Sequence, residues 1–158
     1  MTSETTVLDI FTKGCQENNI DLIRHLLPVG VDVNWRSEHY SGNSGLHYAA
    51  EKNYGELLEL LLGQTGVDVN IRNNLNMTPL MSACYQGHEN IVRRLCQVAG
   101  IQLNCRDDYG QTALQWAVSQ NKPACVSMIS ALLTAEVEIS LRLLWRGIEE
   151  TEDSNKVK

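Results

Sequence analysis

Cysteine and histidine are the residue types in this sequence best suited to hold a metal ion or to act as a nucleophile and its base. They are Cys15, Cys84, Cys96, Cys105 and Cys125, and His25, His39, His47 and His88. The cysteines are odd in number and far apart, no CxxC pair is present, and the histidines do not follow zinc-finger spacing. The sequence therefore predicts no metal site and free thiols, which are typical of a reduced, intracellular protein in the cytoplasm or nucleus.

Paired carboxylates are a second arrangement that can carry chemistry, provided that they lie in a cleft. Asp107 and Asp108 are adjacent, but they lie in a turn, where aspartate is common for backbone reasons. The sequence contains no GxGxxG, P-loop, HExxH or GxSxG motif. We therefore expect no catalytic residue and no cofactor, and an enzyme with an unrecognised site is kept only as an alternative.

Charge and hydrophobic patterning bear on two further classes of partner. The net charge is −6, and lysine and arginine are scattered without a basic run, so direct binding to nucleic acid is not expected. No uninterrupted apolar run approaches the roughly 20 residues that cross a bilayer. Residues 1–11 lack a basic region followed by a long apolar core, which a secretory signal would need. The sequence thus predicts no membrane partner.

The landmarks of residues 77–95, "MTPLMSACYQGHENIVRRL", return at a fixed distance along the chain. Thr78 and Leu80 reappear 34 residues later as Thr112 and Leu114. Three segments align in this register without a gap, and an earlier, more degenerate copy precedes them. A fixed period of this length indicates a stacked array of repeats.

Each unit has the pattern of two short helices and a loop. The first helix carries a small residue in the middle of one face, namely Ala49, Ala83 or Ala117, which lets the helices of the next unit approach closely. The second helix of the middle unit spaces Ile91 and Leu95 four residues apart on one apolar face. One such pair cannot bury enough apolar area to offset its ordering entropy, whereas about three or more stacked pairs can.

These residues resemble a known family. "TPLM", "GHENIV", "LLLGQTGVDVN" and "DDYGQTAL" are similar to the turn, helix and loop signatures of the ankyrin repeat, and the resemblance covers Val7 to Leu141. It implies an all-α ankyrin-repeat solenoid, in which helix-turn-helix units stack and β-turn or hairpin loops project from them. Several motifs in phase are far more specific for this fold than one motif alone.

The resemblance divides the chain into about four repeats, of which the first and last are degenerate. The expected segments are an N-terminal tail over 1–6, an ankyrin-repeat domain over 7–141, a capping helix over 141–150 and a disordered tail over 151–158. The repeats are expected at about 7–36, 37–72, 73–106 and 107–140.

As a family, ankyrin-repeat domains are mostly non-enzymatic binding modules. The resemblance implies that the chain is a monomer that binds another protein through the concave surface formed by its loops and first helices, as an inhibitor, an adaptor or a recruitment domain. A rigid, extended surface gives a large contact area without a folding cost on binding. The alternative is a recruitment domain of a larger scaffold in which the C-terminal amphipathic segment also docks a partner.

Carried over position by position, the resemblance places a set of side chains on the concave surface. They are Tyr40, Asn43, Glu51, Lys52, Leu75, Met77, Tyr85, Gln86, Tyr109, Gln111 and Ser119. Three of them, Leu75, Met77 and Tyr85, are large apolar or aromatic residues at sites that the fold leaves exposed, and Tyr109 lies one repeat further on. Exposed aromatics beside a methionine are typical of interface centres.

Four other residues carry narrower expectations. Trp116 matches a buried leucine position and is expected in the core, where its indole N–H needs a partner. Cys105 follows the loop asparagine and is expected to be exposed. Asn34 and Asn70 lie in loops that resemble sites at which ankyrin domains are hydroxylated, so both are possible modification sites.

The C-terminal segment has an amphipathic pattern of its own. Leu141, Leu144, Trp145 and Ile148 follow the spacing i, i+3, i+4, i+7, which marks one apolar helix face. We expect this helix to fold over the open end of the stack, because that end would otherwise expose apolar surface. A free helix that docks into a partner is the alternative.

Overall fold

The computed structural model describes residues 6–38 and 41–155, with side chains described as far as Arg146. The helices are α1 (Val7–Gln16), α2 (Ile20–Leu26), α3 (Gly45–Lys52), α4 (Gly55–Leu62), α5 (Pro79–Gln86), α6 (Glu89–Cys96), α7 (Ala113–Ser119) and α8 (Pro123–Asn155), with a 3-10 turn over Leu27–Val29. Within the described ranges no strand forms, and one isolated antiparallel bridge joins Arg36 to Ser44. The predicted all-α solenoid is confirmed.

Each first helix begins at a hydroxyl residue and closes a reciprocal cap with the residue three positions on. Thr78 Oγ1 accepts from the Met81 amide at 3.3 Å, and Thr112 Oγ1 accepts from the Gln115 amide at 3.3 Å. In return the Thr112 amide donates to Gln115 Oε1 at 2.9 Å. The caps satisfy amides that the first turn leaves unpaired, and so they set where each layer starts.

The layers are held together through their first helices. α3 packs on α1 and α5, and α5 packs on α7. The three alanines at the middle of these helices, Ala49, Ala83 and Ala117, are fully buried, which allows the backbones to approach closely. The core is therefore one continuous apolar seam that runs through successive layers rather than a single globular interior.

Asparagines tie consecutive loops to each other. Asn34 Nδ2 donates to the Gly66 carbonyl at 2.8 Å, and its Oδ1 accepts from the Asp68 amide at 2.8 Å. One layer further, Asn70 repeats both bonds, to the Gly100 carbonyl at 2.8 Å and from the Gln102 amide at 2.9 Å. Gly66 and Gly100 have positive φ angles of 77° and 82°, which only glycine adopts without strain.

The last layer differs from the separate capping helix expected over 141–150. α8 runs without a break from Pro123 to Asn155, so that stretch continues the second helix of the last repeat. The reason lies at the position where earlier repeats carry a loop glycine. Here the residue is Thr134, whose hydroxyl donates to the Ser130 carbonyl at 2.9 Å within the helix. Of the tail expected to be disordered, residues 151–155 are helical, and 156–158 lie outside the described residues.

The exposed part of α8 is strongly apolar. Its large apolar side chains are 52% to 65% exposed, and they are Val137, Ile139, Leu141, Leu143, Leu144 and Trp145. The stretch Pro123–Arg146 has the length and composition of a membrane-spanning helix, with a mean hydropathy of 1.6. Its first turns nevertheless belong to the stack, because Cys125 and Ile129 are completely buried there. The absence of a membrane partner remains a prediction.

Candidate functional site

The loops and first helices of the middle layers enclose a cavity of about 310 Å³ on the concave side. Its lining includes the predicted residues Asn43, Glu51, Leu75, Met77, Tyr85, Gln86 and Tyr109. It also includes Asn73, Ser82 and Trp116, which the sequence interpretation did not place on the surface. The cavity therefore unites three layers in one depression.

The remaining predicted residues lie outside this cavity. Lys52 Nζ donates to the Gln16 carbonyl in the preceding layer at 3.4 Å, and Ser119 Oγ donates to the Trp116 carbonyl at 3.0 Å. Gln111 is half-buried. Tyr40 lies outside the described residues.

Three aromatic rings form the centre of the cavity. The Tyr85 and Trp116 ring centroids are 5.3 Å apart with an interplanar angle of 77°, and those of Tyr109 and Trp116 are 6.3 Å apart with an angle of 88°. Both tyrosines thus stand nearly at right angles to the indole, in the edge-to-face arrangement that aromatic quadrupoles favour. Tyr85 and Tyr109 are 41% and 66% exposed. The rings hold each other in place while they remain open to a ligand.

A buried carboxylate positions this aromatic group. Asp107 is 7% exposed, and its Oδ2 accepts from Trp116 Nε1 at 2.6 Å. Its Oδ1 accepts from the amides of Tyr109 at 3.0 Å and Gln111 at 2.9 Å. The core position expected for Trp116 is thus wrong in part, because the indole is half-buried and turned towards the carboxylate. The indole N–H donates to Asp107, nine residues upstream, and so has the hydrogen-bond partner that was expected to be needed.

Asn73 holds the equivalent loop one layer earlier through side-chain hydrogen bonds of the same kind. Its Oδ1 accepts from the amides of Leu75 and Met77, both at 3.0 Å, and its Nδ2 donates to Asn43 Oδ1 at 2.9 Å. Asn73 therefore fixes the loop that carries the apolar wall of the cavity. Asn73 and Asp107 occupy equivalent loop positions in consecutive repeats. Asparagine and aspartate are both typical turn formers, and this was the signal in the sequence that could have identified the two residues.

The tips of the three loops are joined to each other by hydrogen bonds. The Asn74 amide donates to the Ser41 carbonyl at 3.0 Å, and the Asp108 amide donates to the Leu75 carbonyl at 3.1 Å. Asn76 Nδ2 also donates to Asp108 Oδ1 at 2.7 Å. The surface is thus organised before any ligand arrives, which lowers the ordering cost of binding.

The thiols do not form a reactive centre. All five cysteines are unpaired, and burial raises the pKa of Cys15 to about 12 and moves the pKa of Cys84 upward as well. Thiols in such surroundings stay protonated and unreactive. Cys105, expected to be exposed, is buried, and its Sγ donates to Gln102 Oε1 at 3.3 Å. The described residues contain no group of side chains suited to hold a metal ion.

The two asparagines named as possible modification sites have a structural task. Both side chains use their oxygen and their nitrogen in the bonds between neighbouring loops. Their hydroxylation stays a prediction, which mass spectrometry of the protein from its native cells can check.

Comparison with known proteins identifies relatives of this architecture. A family model of ankyrin repeats in three copies matches residues 8–73 and 46–142. The E3 ubiquitin-protein ligase XBAT33 of Arabidopsis thaliana is 40% identical over 95 residues, which cover 56% of this chain and 17% of that protein. The putative ankyrin repeat protein YahD of Escherichia coli (strain K12) is 30% identical over 116 residues, covering 71% of this chain and 57% of that protein.

The human neurogenic locus notch homolog protein 2 is similar over a longer stretch of this chain. It is 29% identical over 138 residues, which cover 86% of this chain but 5% of that protein. The chain spans about a sixth of the length of XBAT33, so the ligase activity of that protein is not carried over with the match. The family model, the stacked helix pairs and the asparagine hydrogen bonds between consecutive loops all agree. We conclude that this chain belongs to the ankyrin-repeat family.

Proposed function

We propose that the chain binds a partner protein through the concave cavity and acts as a recruitment module, with inhibitor or adaptor roles using the same surface. Ankyrin repeats are protein-interaction units and are themselves non-catalytic. The observation that carries the proposal is the open, pre-organised aromatic group in the cavity. Such rigid aromatics at the centre of a concave surface supply most of the energy in many interfaces.

The relatives and the thiols support the recruitment role and its setting. XBAT33 carries a region similar to this chain within a longer protein named as a ubiquitin ligase, an arrangement that suits a domain that captures other proteins. The unpaired cysteines suit a reducing compartment, so we place the module inside the cell.

Removal of the exposed aromatics tests the cavity. In Tyr85→Ala and Tyr109→Ala, we expect affinity for a partner captured from native cells to fall about 30-fold or more, because interface-centre aromatics carry about 2 kcal/mol or more each. The free energy of unfolding should fall by only about 1 kcal/mol, the order of one aromatic pair. Calorimetric titration with the purified partner measures the first quantity, and denaturant unfolding measures the second.

Val29→Ala is a matched control, because Val29 is a 74% exposed apolar residue that does not line the cavity. Its affinity for the partner should equal that of the unmodified chain. A steep loss of thermal stability in Tyr85→Ala would show that the ring belongs to the core, and unchanged affinity in both tyrosine variants would rule out the cavity as the binding surface.

The free end of α8 is a second candidate surface. Glu138, Arg142 and Arg146 recur every four residues and so form one polar row along the helix. Beside this row the exposed side chains form an apolar stripe of Val137, Leu141, Leu144 and Trp145, which Glu136 and Ser140 border on its other side. This division suits a helix that lies in an apolar groove of a partner protein with its polar row facing water.

Truncation after Ser140 separates docking from a structural role. We expect the free energy of unfolding to change by less than about 1 kcal/mol, because the removed side chains that the structure describes are exposed. A partner that uses α8 should be lost from co-purification, while a partner that uses the cavity should be retained. Loss of folding would contradict this role, and sedimentation of the full chain with lipid vesicles would assign the helix to a membrane instead.

A further inference from the structure

The cavity is lined by aromatic rings and a single charged side chain. Among its lining residues in the part of the chain that the structure describes, Glu51 alone carries a charge, and it is negative. The Tyr85, Tyr109 and Trp116 rings also line the cavity, and the quadrupole of an aromatic ring concentrates electron density above its plane. The depression is therefore both apolar and electrostatically negative. A neutral aliphatic ligand would gain nothing from the negative potential.

We propose that this cavity receives a cationic side chain of the partner, either the guanidinium of arginine or the methylated ammonium of a modified lysine. The inference rests on the proposed function and specifies the chemistry of the residue that the concave surface recognises. The cationic group lies among Tyr85, Tyr109 and Trp116, and Glu51 balances its charge. The charge of the guanidinium is delocalised, and the charge of the methylated ammonium is shielded by its alkyl groups. Aromatic faces bind such cations in preference to strongly hydrated ions.

The relative orientation of the rings suits such a ligand. Because both tyrosines stand at 77° and 88° to the indole, the three rings cannot stack flat on one another and close the space between them. The cavity of about 310 Å³ lies at the lower end of the range for small-molecule sites, which is ample for one long side chain. Leu75 and Met77 supply apolar surface for the methylene stem that carries the charge.

Asp107 strengthens the attraction without touching the ligand. Its carboxylate accepts three N–H groups, one of them from the indole at 2.6 Å, so a negative charge lies against the edge of the Trp116 ring. Because Asp107 is only 7% exposed, water screens its charge weakly. The hydrogen bond also pulls electron density towards the ring, which favours a cation over its face.

The nearby cationic side chains are directed elsewhere. Lys52 follows Glu51 in α3, but its ammonium donates to the Gln16 carbonyl in the preceding layer. Arg72 and Arg106 donate to loop carbonyls, at Arg106 and Gly110 respectively, and neither lines the cavity. In the described part of the chain, no built-in cation thus competes for the rings.

Synthetic peptides with one varied residue test the inference. The probes are Gly-Ser peptides that present, at their centre, arginine, citrulline, trimethyllysine, the neutral carbon analogue of trimethyllysine, or norleucine. We expect arginine or trimethyllysine to bind about tenfold more tightly than its own neutral counterpart. The arginine and trimethyllysine arms identify the source of the cation. Titration followed by the indole N–H resonance of Trp116 reports binding at the cavity itself.

Conservative variants separate ring chemistry from shape. Tyr109→Phe keeps a ring and should retain the preference for the cation, whereas Tyr109→Leu keeps apolar volume and should lose most of it. Glu51→Gln should weaken the charged probes several-fold and leave the neutral probes unchanged. Each variant is first checked for a cooperative unfolding transition like that of the unmodified chain.

The possible outcomes distinguish this inference from the proposed function. Equal binding of charged and neutral probes would overturn the cation and leave an apolar pocket for the partner. Failure of all probes, with partner binding that still depends on Tyr85 and Tyr109, would also overturn the cation while the proposed function stands. Partner binding that is indifferent to both tyrosines would overturn the proposed function itself.

Discussion

Replacement of Asp107 by alanine is expected to lower the free energy of unfolding by about 3 kcal/mol, because it leaves buried N–H donors without an acceptor. The carboxylate accepts from the amides of Tyr109 and Gln111 and from the indole of Trp116. Its loss should loosen the last loop and release the indole together. Urea unfolding measures the stability, and the indole N–H resonance of Trp116 reports the indole environment.

Asp107→Asn is the matched control, because the chain already shows what an asparagine does at this loop position. Asn73 accepts from the amides of Leu75 and Met77 through its Oδ1 and thereby holds its own loop. An asparagine at 107 should hold the loop in the same way but present an NH₂ group to the indole N–H. We expect a loss of about 1 kcal/mol with a marked shift of the Trp116 indole N–H resonance. Unaltered stability in Asp107→Ala would show that the loop does not depend on the carboxylate.

Acidification from pH 6.5 to pH 4 is expected to remove about 3 kcal/mol of stability through His47 alone. The side chain is completely buried, with Nδ1 accepting from the Ser44 amide at 3.2 Å and Nε2 donating to the Met77 carbonyl at 2.9 Å. Burial lowers the pKa of His47 to about 4, against 6.5 for an ordinary histidine. Between these values the unfolded chain binds a proton that the folded chain does not, so folding is favoured less as the pH falls. The contribution is complete above pH 6.5.

His47→Gln isolates this effect from the other groups that titrate in the same range. Gln115 occupies the equivalent position in the last repeat, where its Oε1 accepts from the Thr112 amide at 2.9 Å, so glutamine can complete the cap without titrating. We expect the difference in unfolding free energy between pH 7.5 and pH 4.5 to shrink by about 2 kcal/mol in this variant. Urea unfolding at the two pH values measures it. An unchanged difference would mean that His47 does not carry the pH dependence.

The layers of the stack were predictable because the chain repeats its own structural signals. Thr78 and Thr112 mark helix starts, Gly66 and Gly100 mark loops, and the alanines mark where backbones meet, so each copy supported the interpretation of the others. The exposure of Tyr85 and Tyr109 followed from the same register. Periodic features of this kind depend on local geometry, which the sequence expresses directly.

The sequence did not predict the features that depend on the absence of a neighbouring element. Trp116 occupies the position of Tyr48, which is buried, but within the described chain no later first helix packs against α7. The indole therefore stays half-buried and satisfies its N–H at Asp107. The course of α8 was missed for a related reason, since Thr134 removes a stop signal and the sequence does not show what the helix does beyond it.

The unbroken course of α8 also sets a distance. From Thr134 to Asn155 the helix rises about 1.5 Å per residue, so its far end lies about 32 Å beyond the point where it leaves the stack. A partner bound at the far end of α8 would therefore be held at about that distance beyond the last layer of the stack.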